Sequence, residues 1–169
     1  MINEAEAMEP IDRLFAERAC ERLIVEFLRR LDLGDPSSVA DLFTPGGVWE
    51  WPEGDRRVEG RAALRAYFGS RPKDRLSRRT TSNILVTVDS DSDSDSDSAK
   101  RAGATSYFTT YRVDGHTGGM VPPRLPVNVG HYEDTFRKVD GVWLLASRSL
   151  FLAFGGETER LRQPADGTA

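Results

Sequence analysis

Apolar residues change their period once along this chain, dividing it into a helical first part and an extended second part. Ile11, Leu14, Phe15, Leu23, Ile24, Phe27, Leu28 and Leu31 recur at helical spacing, opened near Pro10 or Asp12 and closed by Gly34. The row Cys20, Ile24, Leu28, Asp32 steps by four, so a carboxylate extends an apolar ridge. Asp35-Pro36 reads as an N-cap followed by proline at the first helical position, starting a short helix with Val39, Leu42 and Phe43 inward. Val48 to Trp51 alternates like a strand, Gly54-Asp55 turns the chain, Arg57-Val58-Glu59 begins a return, and Gly60 admits a third helix through Leu64, Tyr67 and Phe68.

From Thr80 onward the period is two. Segments 80–88, 104–113, 127–138 and 142–154 are rich in valine, threonine and aromatics, as long antiparallel strands require. Helices first and strands afterwards predict an α+β fold, a strongly curved sheet wrapped around the N-terminal helices with a pocket inside. The strongest local signal is Asp140-Gly141, the pair that a two-residue type I′ hairpin turn demands. With Val139 and Val142 flanking the turn, an unbroken ladder pairs Phe136 with Leu145, Asp134 with Ser147, Glu133 with Arg148 and Tyr132 with Ser149. One face then carries Phe136, Asp134, Tyr132, Ser147 and Phe151 as a pocket wall. The other carries a Glu133–Arg148 ion pair beside His131 and Leu150, and a one-residue slip would exchange the two.

The length of 169 residues suits one domain, expected over 10–154, with residues 1–9 and 155–169 as flexible ends. SDSDSDSDS, within 89–99, is low-complexity and reads as a disordered hairpin loop. It lacks the glycine and glutamate of a calcium loop. Residues 114–126 form a longer loop able to cover a pocket mouth. The net charge of −4 is carried by that aspartate run, so no nucleic-acid partner is expected. One cysteine, an acidic start without a signal peptide's apolar core and the lack of any membrane-length apolar run lead to an expectation of a cytoplasmic protein with no membrane partner. His116 and His131 make no metal-ligand pattern, and no nucleotide fingerprint or nucleophile elbow occurs. No metal and no cofactor are expected.

The ordered segments FLRRLDLGDPSSVADLFTPGGVWEW, VEGRAALRAYF, RRTTSNILV, SYFTTY and VGHYEDTFRKVDGVWLLASRSL resemble the SnoaL-like branch of the nuclear transport factor 2-like superfamily, over roughly residues 10–152. The resemblance implies an α+β cone, three helices against a curved antiparallel sheet, and a homodimer. Such relatives include scytalone dehydratase, bile-acid dehydratases, a dehydrochlorinase, polyketide cyclases and the non-catalytic small subunits of ring-hydroxylating dioxygenases. By the same resemblance, Asp32 falls where dehydratase-type members place an aspartate paired with a catalytic histidine, and Arg79 stands where that histidine should be. Arg148 occupies the last-strand region where aldol-type cyclases carry an aspartate. Tyr132 lies near a pocket asparagine of scytalone dehydratase, and Trp51 aligns with one of its pocket tyrosines.

The candidate catalytic residues are therefore Asp32, Asp134 and Tyr132, with Arg79, Trp51, Phe136, Ser147 and Phe151 as substrate-binding candidates. Asp32 at a helix C-terminus among leucines suits a general base with a raised pKa, or else a turn aspartate bonded to nearby backbone. Arg79 suits an ion pair with Asp32, an anion contact, polarisation of a carbonyl or epoxide oxygen, or a solvent-facing strand edge. Asp134 reads as an acid or base, or as a structural hydrogen-bond node. The expected activity is that of a cofactor-independent lyase, isomerase or cyclase acting on a hydrophobic, oxygenated small molecule. The alternative is a non-catalytic ligand binder or structural subunit. A homodimer is expected to cover an outer sheet face bearing Leu150 and Leu152.

Overall fold

A computed structural model describes residues 8–89 and 100–162. The expected Asp/Ser loop lies, apart from Asp89, outside the described residues, as do positions 1–7 and 163–169. Helix α1 (Pro10–Leu33) starts with proline in its first turn, where the missing N–H has no intrahelical partner to lose. It buries Ala16, Cys20, Ile24, Phe27, Leu28 and Leu31, whereas Ile11, Leu14 and Phe15 at the front of the expected stripe are exposed. Asp35 caps the next element, accepting from the Ser37 N–H at 2.9 Å, and a 3-10 helix (Pro36–Leu42) buries Val39, Ala40 and Leu42. Helix α2 (Arg61–Gly69) turns Leu64 and Phe68 inward.

The strands are β1 (Phe43–Trp51), β2 (Arg56–Glu59), β3 (Leu76–Val88), β4 (Arg101–Asp114), β5 (Asn128–Val139), β6 (Val142–Gly155) and β7 (Glu159–Arg160). They form a curled sheet in the order β2-β1-β6-β5-β4-β3, with β7 added in parallel to the end of β4. The fold is the α+β arrangement read from the sequence. On the concave face of β4, Ala102, Ala104 and Ser106 are buried opposite Phe136, Asp134 and Tyr132 of β5, so small residues leave room for large ones. The segment after Gly155, expected to be a loose tail, returns to the sheet at β7, where Glu159 pairs with Val113 and Arg160 with Asp114.

The hairpin turn forms as predicted: Asp140 and Gly141 both have positive φ, 49° and 80°. Pairing holds from Val139/Val142 to Phe136/Leu145 and then shifts, because Ala146 is an extra residue in β6. Beyond this bulge Thr135 opposes Ser147, Asp134 opposes Arg148, Glu133 opposes Ser149 and Tyr132 opposes Leu150. One added residue moves the side chains from Ser147 to Leu152 to the opposite face, until a second extra residue, Ala153, shifts the register again and Val129 opposes Phe154. The expected Glu133–Arg148 pair is therefore corrected to Asp134–Arg148, with Arg148 and Leu150 concave and Ser147 and Phe151 convex. Leu150 and Leu152 line the interior instead of the outer face. No helix among the described residues is long and apolar enough to cross a membrane.

Candidate functional site

Between α1, α2 and the concave sheet lies a cavity of about 800 Å³. Its apolar part is an aromatic cluster. Phe27 meets Phe68 edge-on at 5.5 Å and Tyr132 at 6.3 Å, Phe108 lies 4.5 Å from Tyr132, and Trp49 lies 5.1 Å from Tyr67. These positions follow from the elements: Phe27 belongs to the inward row of α1, Phe68 to the buried face of α2, and Phe108 and Tyr132 to the concave positions of β4 and β5. Trp51 also lines the cavity, and its ring occupies the place where a side chain at residue 54 would begin, which is why Gly54 follows it. The indole N–H of Trp51 is buried without a hydrogen-bond partner among the described residues.

The other part of the lining is cationic. Arg56, Arg71, Arg75, Arg79 and Arg112 face the cavity, with Glu157 as the one carboxylate among the lining residues. Strand register explains part of this convergence, since Ser77 pairs with Arg112 and Arg79 with Thr110 on the concave side of β3 and β4. Asp32 meets this group from the end of α1. Its Oδ1 accepts from the Ser77 hydroxyl at 2.7 Å and from the Arg79 guanidinium, and its Oδ2 accepts from the Arg79 backbone N–H at 2.6 Å. The Asp32 and Arg79 side chains are 6% and 7% exposed, and Arg79 but not Asp32 lines the cavity. The expected ridge thus delivers a buried carboxylate beside the pocket, with the guanidinium in front of it. Of the roles open to Arg79, the solvent-facing strand edge is excluded.

Arg75 forms a bidentate pair with Asp114, at 2.7 and 2.9 Å, whose hydrogen bonds hold the Asp114 carboxyl below its ordinary range. Arg112 donates through Nε to the Thr158 hydroxyl at 2.7 Å and has no carboxylate partner among the described residues. Burial, then the charges of Arg75 and Arg79, push its pKa down. Arg71, in the loop after α2, has no side-chain hydrogen bond or ion pair among the described residues. Burial, reinforced by Arg79 and Arg75, pushes it down to about 10.

Asp134, expected in the pocket, lies beneath its floor. Arg148 grips it through Nε and Nη2, both at 2.7 Å, with both side chains 0% exposed. The Arg148 guanidinium lies 4.3 Å from the ring centres of Phe27 and Tyr132, which separate the pair from the cavity. Burial works against this cation, but attraction to Asp134 outweighs it and holds the Arg148 pKa above its ordinary value. Tyr132 does line the cavity. Its hydroxyl has no hydrogen-bond partner among the described residues, and burial pushes its pKa up, so it meets a ligand as a protonated donor.

Phe136 is buried in the core and does not line the cavity. Ser147 and Phe151, placed in the pocket by the unbroken ladder, are on the convex face, where Ser147 bonds the Thr135 hydroxyl at 2.6 Å and Phe151 stacks on His131 at 5.0 Å. No residue of the 114–126 loop lines the cavity, whereas Ser70, Arg71, Pro72 and residues 155–157 do. Sequence reasoning missed Arg71, Arg75 and Arg112. The countable signal was the preference for arginine, since 20 of the 23 basic residues are Arg.

The model of the SnoaL-like domain matches residues 12–149, and the chain belongs to that family. Among solved structures it is similar to Rv3472 of Mycobacterium tuberculosis, described as a protein of unknown function, at 24% identity and a TM-score of 0.66, covering 86% of this chain and 77% of that one. It is also similar to ActVI-ORFA of Streptomyces coelicolor, at 22% identity and a TM-score of 0.63, covering 83% and 97%. A third is a candidate scytalone dehydratase of Novosphingobium aromaticivorans, at 23% identity and a TM-score of 0.61, covering 92% and 99%. At these identities the likeness concerns the fold. A search of curated proteins found no match.

Proposed function

We propose that this protein is a cofactor-independent lyase, isomerase or cyclase acting on a hydrophobic, oxygenated small molecule such as a polyketide-type intermediate. The observation that carries the reading is the juxtaposition, in one aromatic-lined cavity, of the Arg79 guanidinium and the unbonded Tyr132 hydroxyl. A cation held in place by a buried partner costs little reorganisation when charge develops on a substrate oxygen. Arg79 stabilises an enolate or alkoxide oxygen, and Tyr132 donates a hydrogen bond or proton to an oxygen or leaving hydroxyl. Asp32 acts as a positioning residue for Arg79: three donors already occupy its oxygens, which argues against the free general base expected at the sequence level.

The same engagement of Asp32 favours a second reading, a binding protein without catalysis. The two separate in an assay of hydroxylated aromatic ketones, followed by mass spectrometry for loss of water or ring closure. Turnover that falls at least about a hundredfold in Arg79→Met, with part retained in Tyr132→Phe, supports the enzyme, since one preorganised oxyanion donor commonly contributes that much. Binding without turnover of any such ketone supports the second reading. The dimer is also proposed, through the convex row Tyr107, His131 and Phe151, which the sheet register places side by side. A monomer throughout the micromolar range in sedimentation would exclude it.

A further inference from the structure

We infer that the ligand of this cavity carries a carboxylate, bound between Arg71 and Arg112, with its apolar body on the aromatic floor. This rests on the reading of the cavity as a small-molecule pocket and names the class of molecule it takes. Four guanidiniums meet at one end of the cavity, and the chain supplies counter-charges for two of them: Asp32 for Arg79 and Asp114 for Arg75. Arg71 and Arg112 form no ion pair among the described residues, and the carboxylates that attract them from a distance, Asp32 and Asp114, are already engaged by Arg79 and Arg75. Glu157 also lines the cavity and forms no ion pair with either among the described residues.

Partly buried cations without partners are costly, and a chain that merely needed solubility would set such residues in water. Both groups sit instead where burial and the neighbouring arginines disfavour their charge. A planar two-oxygen anion fits the fork of a guanidinium and supplies the absent counter-charge. The enclosure, bounded by α1, α2 and the sheet, admits a small molecule and not a nucleic-acid backbone. The site then holds a carboxylate at its arginine-rich end, a polarised oxygen at Arg79 and Tyr132, and an apolar ring system on Phe27, Phe68 and Phe108.

The test uses two fluorescent probes of one shape, 1-pyrenebutyrate and 1-pyrenebutanol, titrated into the full-length protein and into Arg71→Met, Arg112→Met and the distant Arg18→Met. Wild type and Arg18→Met should bind the acid at least about tenfold more tightly than the alcohol, since a charge-assisted hydrogen bond typically contributes that much. Each pocket variant should lose most of this preference while binding the alcohol as before, a control that the pocket is folded. Equal binding of acid and alcohol by wild type, or equal weakening of both in the pocket variants, overturns the carboxylate site and leaves the pocket reading intact. Failure of both probes to bind wild type overturns the pocket reading and this inference together.

Discussion

Two aspartate–arginine pairs lie within this core and are built to opposite ends. Asp134 and Arg148 face each other across β5 and β6, fully enclosed, with the guanidinium flanked by two aromatic rings. Asp32 and Arg79 join the end of α1 to β3, and their guanidinium opens onto a cavity with three further arginines, Arg56, Arg71 and Arg112, that have no carboxylate partner among the described residues. In the first pair nearly every charge is answered within the chain. In the second region the protein supplies more cation than anion. The contrast separates a charge that holds the fold from charges that await a ligand, and it predicts that the two regions respond differently to the same kinds of substitution.

The largest effect should come from breaking the enclosed pair. Asp134→Asn leaves Arg148 buried and unpaired and should cost about 3–5 kcal/mol in urea unfolding, whereas Asp134→Leu combined with Arg148→Met should recover much of that loss. A loss under about 1 kcal/mol for the single variant would show that the pair is not sealed as described. Asp32→Asn should cost less, about 1–3 kcal/mol, because its single amide oxygen can still accept from the Arg79 backbone N–H while the Ser77 hydroxyl turns to accept from its NH2 group. Its effect on turnover should not add to that of Arg79→Met. Additive losses would instead give Asp32 its own role in moving a proton.

Arg71→Met should leave the unliganded protein as stable as wild type or more so. Burial and nearby arginines lower the folded-state pKa of Arg71 to about 10, from an ordinary value of 12.5, so its charge is a cost to folding below that range. The unfolded chain binds more protons between these values, and the advantage of the methionine variant should shrink as pH rises through about 10. A variant less stable than wild type at neutral pH would show that Arg71 has a structural partner. Smallest of all is the surface reference: Arg29 and Arg30 hold Glu26 at about 2, below its ordinary 4.5. Its modest contribution should be present above about 4.5 and lost as pH falls through about 2, which a comparison of acid unfolding between wild type and Glu26→Gln would detect.

Much of the architecture was legible in local signals. The Asp140-Gly141 turn, the helical row ending at Asp32, the cap at Asp35 and the alternating strands each reflect short-range geometry, and each forms as read. The pocket-facing side of Tyr132 followed from the turn. The partner of Asp134 did not, because one extra residue at Ala146 reverses the faces of β6 from Ser147 to Leu152, exchanging Glu133 for Asp134 opposite Arg148 and expelling Ser147 and Phe151 from the cavity. A bulge at an alanine leaves no mark in the alternation of a strand whose two faces both carry apolar and polar residues. Nor does any local pattern announce that Arg71 from a loop, Arg79 from β3 and Arg112 from β4 share one cavity with Arg56 and Arg75, where two of the five guanidiniums are paired with carboxylates. That imbalance exists only after long-range strand pairing has brought the charges together, since an ion pair depends on separation in space, and separation along the chain says nothing of it.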